Sequence, residues 1–118
     1  MNQIKQSKHS RARVTLRGRY MLEDGREFAC RTTEISVEDI AIVGAISGKI
    51  GERIVAYIDE LGRVEGTIVQ HFGECFMIEP RASAIKREWL HMAIGRLAKQ
   101  HQGRAARRGP DLEAIAAA

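Results

Sequence analysis

The stretch Glu52–Ile78, ERIVAYIDELGRVEGTIVQHFGECFMI, decides how the chain folds. Ile54, Ala56 and Ile58 fall on one side of its first run, with Val55 and Tyr57 on the other, and this period of two marks a half-buried strand. Two glycine-marked segments, Asp59-Glu60-Leu61-Gly62 and Phe72-Gly73-Glu74, divide the stretch into three such runs. Strands joined by turns this short lie antiparallel, so a β-meander is expected.

Toward the N-terminus the alternation continues. Val14, Leu16, Tyr20 and Leu22 alternate with Thr15, Arg17, Arg19 and Met21, with Gly18 at the inward position that lacks a side chain, which predicts a first strand from Arg13. The Asp24-Gly25 pair suits a type I′ turn. A second strand follows over Glu27–Ile35, with Phe28, Cys30 and Thr32 on one face, then a loop or bulge at Ser36-Val37-Glu38-Asp39 and a third short strand over Ile40–Val43. After Pro80 the period lengthens. Ser83 can cap a helix whose stripe is Ile85, Trp89, Leu90, Ala93, Ile94 and Leu97, ending before Gly103. An open barrel end or a second subunit would cover that stripe, and the second choice makes a homodimer through the C-terminal helix an expectation to test. Residues 1–12 are expected to be a flexible basic arm, 13–101 the barrel with its closing helix, and 102–118 a tail.

With 118 residues and 44% hydrophobic side chains the chain can build one modest core. The net charge of +4 conceals a segregation. Residues 1–19 carry six basic groups and no acid, residues 20–82 six basic and twelve acidic groups, and residues 83–118 seven basic and three acidic groups. A barrel that tracks a nucleic-acid backbone is expected to be basic and to offer stacking aromatics; this acidic one makes nucleic acid an unlikely partner and places any anion at the arm. MNQIKQSKHSR lacks the apolar core of a secretory signal, and no apolar run is long enough to span a bilayer. A cytoplasmic protein without membrane insertion is expected. Cys30 and Cys75 fall within predicted strands and read as buried thiols rather than a disulfide framework.

Taken together, the arm Lys8-His9-Ser10-Arg11-Ala12-Arg13-Val14, the segment Glu34-Ile35-Ser36-Val37-Glu38-Asp39, and the stretches GRYMLEDGREFAC and GERIVAYIDELGRVEG resemble a PilZ domain, in particular of the alphaproteobacterial type. The resemblance covers roughly Lys8 to Gln100. It implies a mainly β fold: a small six-stranded antiparallel PilZ-like β-barrel with a C-terminal α-helix. The family pattern pairs an RxxxR arm with a DxSxxG segment. Here Arg13 stands at the final arginine and Ser36 at the serine, while His9 replaces the first arginine, Glu34 the aspartate and Asp39 the glycine.

The resemblance implies a non-catalytic receptor or adaptor for cyclic di-GMP that signals to an unidentified protein partner in motility, attachment or exopolysaccharide control. Arg11 and Arg13 would hold phosphate and stack on guanine, since a planar guanidinium can do both. Glu34 and Ser36 would meet a guanine edge, Lys8 and His9 would add contacts, and Asp39 would set a negative charge beside the phosphates. The motif departures support an alternative, a degenerate PilZ domain that binds no nucleotide and serves as a protein interaction module. No cofactor is expected. Gly44–Ile50 is one residue short of a P-loop and has Ile50 where Ser or Thr would hold magnesium. His71 and Cys75 lack a second pair of metal-ligand spacing, and no nucleophile has an activating base in view, so neither a metal site nor an enzyme is expected.

Overall fold

The computed structural model describes residues 11–117, with side chains for 11–100; the expected ligand residues Lys8 and His9 lie outside the described residues. Seven strands, β1 (Arg11–Ala12), β2 (Arg17–Leu22), β3 (Glu27–Ser36), β4 (Ile40–Gly44), β5 (Arg53–Ile58), β6 (Gly62–Phe72) and β7 (Cys75–Pro80), precede one helix, α1 (Ala84–Ala117). The expected meander is β5, β6 and β7. Six strands close into a barrel: β2 pairs with β5, β5 with β6, β6 with β7, β7 with β4, β4 with β3, and β3 with β2, all antiparallel. Closure leaves no long strand edge open to foreign pairing.

The inward side chains form one core. Ile42, Ile54, Ala56, Ile68, Phe76 and Ile78 are buried around Tyr20, whose ring meets Phe76 edge-on with centroids 5.3 Å apart. Burial raises the Tyr20 phenol above its ordinary pKa. Its hydroxyl donates to the Ile46 carbonyl and accepts from the Ile46 amide, the latter at 3.2 Å, which ties the glycine-rich connection after β4 to the core.

The alternation from Arg13 assigns faces correctly, with Val14 and Leu16 buried and Arg13 and Thr15 exposed. The first long strand nevertheless begins at Arg17, and the cause is Thr32. Its hydroxyl, fully buried, accepts from the Leu16 amide at 2.9 Å and donates to the Val14 carbonyl at 2.6 Å, so a side chain takes two bonds that a ladder would otherwise make. β3 is irregular between Thr32 and Glu34, earlier than the expected bulge. Residues Ser36–Asp39 form a turn, the loop expected there.

One other local expectation changes. At Asp24-Gly25 only the glycine has positive φ, +89°, and the Gly25 amide bonds the Leu22 carbonyl at 2.9 Å. That is a three-residue loop ending in a left-handed glycine rather than a type I′ turn. In the Asp59-Glu60-Leu61-Gly62 turn both Glu60, φ 75°, and Gly62, φ 77°, are left-handed. Leu61, between them, is buried.

Ser83 caps α1 as expected, its hydroxyl accepting from the Lys86 amide at 3.1 Å. Leu90, Ala93, Ile94 and Leu97 close the barrel end together with Ala12, Val14, Leu16 and Val37. Ile85 and Trp89 do not join them: they are 83% and 45% exposed. The stop expected before Gly103 is also absent, and α1 continues to Ala117.

Two substitutions are expected to move stability in opposite directions. Thr32→Val removes both partners of buried backbone groups and should lower unfolding free energy by about 1–3 kcal/mol. Glu60→Gly relieves a left-handed non-glycine residue and should raise it by about 0.5–1 kcal/mol, net of glycine's extra unfolded-state entropy. Urea titration of both variants checks the signs.

Candidate functional site at the end of β3

The β3–β4 turn is built by one side chain. Ser36, 1% exposed, accepts from the amides of Glu38 and Asp39 at 3.1 Å each and donates to the Asp39 carbonyl at 3.2 Å. Its own amide bonds that carbonyl at 2.9 Å. The turn therefore presents the Glu38 and Asp39 side chains at a fixed point, and β1 is laid against it, Arg11 opposite Ser36 and Ala12 opposite Ile35.

Ala12 faces inward beneath α1, so Arg11 must face outward. Its Nη1 donates to Asp39 Oδ1 at 3.0 Å and lies 3.7 Å from Glu34 Oε1. The hydrogen bond to Asp39, helped by the negative field of Asp39, Glu34 and Glu38, raises the guanidinium pKa further against a partial desolvation. Arg87 of α1 reaches the same turn, Nη1 to the Val37 carbonyl at 3.5 Å.

The structure thus brings together Arg11, Glu34, Ser36 and Asp39 of the expected site residues. Arg13 is exposed, two residues further on the same side of the chain as Arg11, and makes no ion pair among the described residues. Arg87 was not foreseen. It is 50 residues from Val37 in sequence, and no local pattern signals a contact made only when α1 docks. The described residues contain no cluster of three metal-ligating side chains. His71 is exposed, with Nε2 2.6 Å from the Gly48 carbonyl. Both cysteines are free and half-buried, and burial pushes the Cys30 thiol up to about 11, slightly countered by Arg19.

No family model and no curated protein matches the chain. Solved structures do. The PilZ domain of CeSA from a cellulose-synthesizing bacterium superposes with a TM-score of 0.60 at 14% identity, over 78% of this chain and 97% of that one. The fold is that of a PilZ domain. The Bacillus subtilis inhibitor of motility, MotI/DgrA, matches with a TM-score of 0.62 at 21% identity over 82% of this chain; the match takes in 52% of that protein, so the chain spans about half its length. On the PilZ fold the position read as the motif glycine carries Asp39, and its carboxylate is the one that holds Arg11.

Asp39→Asn should loosen the Arg11 end of the arm. The pair is exposed, so global stability should change by about 0.2–1 kcal/mol while amide exchange at Arg11 and Ala12 accelerates. Cys30 gives a pH dependence. Its pKa is raised in the folded state from 9.0 to about 11, so the unfolded chain loses the proton first. Stability should be unaffected below pH 9 and fall as pH rises from about 9 to 11; denaturation midpoints across that window should fall less in Cys30→Ala.

Proposed function

We propose that the chain is a non-catalytic cyclic di-GMP receptor that passes the bound state to a partner protein. The observation that supports this best is the convergence of Arg11, Glu34, Ser36 and Asp39 where the arm meets the β3–β4 turn. Cyclic di-GMP presents two phosphodiesters and two guanine edges. Arg13, exposed beside the turn, supplies a free guanidinium for phosphate or base stacking, and Glu34 can accept from guanine N1 and N2 donors. Ser36 acts by fixing the turn. Arg11 must exchange the Asp39 carboxylate for a phosphate, so ligand binding and arm release are one event. That coupling is the signal a partner protein would detect.

Charges this exposed are screened over about 8 Å at physiological ionic strength, so binding is expected to weaken with salt. Among the described residues no helix is long and apolar enough to cross a membrane, and two free cysteines fit a reducing compartment; we place the receptor in the cytoplasm, acting on motility, attachment or exopolysaccharide output.

One observation favours the second reading, an interaction module without nucleotide. Ile85, Trp89 and Met92 are 83%, 45% and 56% exposed on α1, and apolar patches of this kind mark contact surfaces.

Calorimetric titration with cyclic di-GMP separates the two. A receptor should show saturable heat that weakens with salt, at least tenfold weaker affinity in Arg13→Ala, and tighter binding in Asp39→Gly, where Arg11 has only the longer 3.7 Å contact with Glu34 to leave. A folded protein that gives no heat at either low or physiological salt sinks the receptor and leaves the module.

A further inference from the structure

The outer face of the barrel carries a second group of arginines beyond the arm. On β2 and β3, Arg17 is directly opposite Arg31, which sets their Cβ atoms about 4.5–5.5 Å apart. Both side chains are exposed, and among the described residues neither makes an ion pair. Arg19, on the same outward side of β2, is already 3.4 Å from Glu27. Like charges held directly opposite in an antiparallel pair are destabilising. The arrangement costs the free protein stability and is relieved by an anion between the two guanidinia.

The surroundings fit such an anion. The two arginines border an open groove of about 690 Å³, floored by Gly18, Cys30 and Gly44, with Arg19 on its rim and Glu74 as the one acid among its lining residues. The lining charge is therefore +3 from the arginines and −1 from Glu74, a local balance of +2 on a barrel whose segment is acidic in total. The groove is also near the arm. Arg31 is three residues before Glu34 on β3, about 10 Å at ordinary strand rise. Arg11, by contrast, is held by Asp39 and Glu34.

We propose that Arg17 and Arg31 form a phosphate-binding clamp on the barrel wall, taking a phosphodiester or phosphate monoester between two forked guanidinia. If the chain is the receptor proposed above, the clamp adds a phosphate contact on the barrel wall to the one Arg11 makes on leaving Asp39. Its assignment to cyclic di-GMP rests on the receptor reading; the anion site itself does not.

Thermal unfolding at low salt with inorganic pyrophosphate, and calorimetry with cyclic di-GMP, test it in wild type, Arg17→Gln, Arg31→Gln and Arg81→Gln. Arg81 is exposed and outside the groove lining. In phosphate-free buffer both clamp variants should melt no lower than wild type, because a repulsion has been removed. Pyrophosphate should raise the midpoint of wild type and Arg81→Gln and leave the clamp variants unmoved, and cyclic di-GMP affinity should fall tenfold or more in each clamp variant. If cyclic di-GMP gives no heat with wild type while the pyrophosphate pattern holds, the clamp stands and the receptor reading falls. Wild-type responses retained by both clamp variants, or no response of wild type to either probe, would overturn the clamp.

Discussion

The buried hydroxyl of Thr32 holds the segment Val14–Leu16 to the barrel, and the outward positions of Arg11, Arg13 and Arg17 follow from it. Residues 11 to 17 run beside residues 36 to 31 of β3, with Arg11 opposite Ser36 at one end and Arg17 opposite Arg31 at the other. Six steps of the arm thus span five of β3. A ladder cannot absorb that mismatch without leaving backbone groups unpaired in the core. Thr32 absorbs it by bonding the Leu16 amide and the Val14 carbonyl with its side chain, while the irregularity at Thr33 lets Thr32 and Ile35 both face inward. The arm keeps its period of two, so Ala12, Val14 and Leu16 go under α1 and Arg11, Arg13 and Arg17 stay outside.

Much of this was legible in the sequence because one rule governs it. Alternation fixed the faces of β2 and β5, and the switch to helical period after Pro80 placed the start of α1. Alternation says nothing of where a strand starts when a side chain can replace a ladder bond, which is why Arg13 and Arg17 could not be told apart as strand starts. It is equally silent on turn type at Asp24-Gly25, where the count of residues between paired positions decides whether one or two residues take positive φ. Trp89 shows a third limit. A helical stripe records which residues are apolar, and the surface beneath decides which of them are covered.

At the candidate site the residue types were legible and their engagement was not. Ser36 reads in isolation as a turn-former and within the motif as a ligand contact; the structure commits its hydroxyl to three bonds within the turn. Asp39 reads as a charge opposed to phosphate. In the folded chain the same carboxylate orders the arm, because it lies 3.0 Å from Arg11. An acid in place of a glycine therefore gives the free protein a contact that a ligand must displace, and both the cost of displacement and its structural consequence fall on the same arginine.

Segment totals also mislead about where an anion can go. Residues 20–82 are acidic in sum, yet five of their twelve acids are paired with particular cations: Glu27 with Arg19, Asp24 with Arg26, Glu65 with Arg63, and Glu34 and Asp39 with Arg11. Coulomb energy falls with distance and exposed charges are screened within about 8 Å, so a phosphate experiences its nearest groups rather than the sum. On the wall formed by β2 and β3 the nearest groups are Arg17 and Arg31, opposed and without a carboxylate partner among the described residues. The acidity of the barrel is thus compatible with an anion site on its outer face, and the basic arm is not the sole feature that can direct one there.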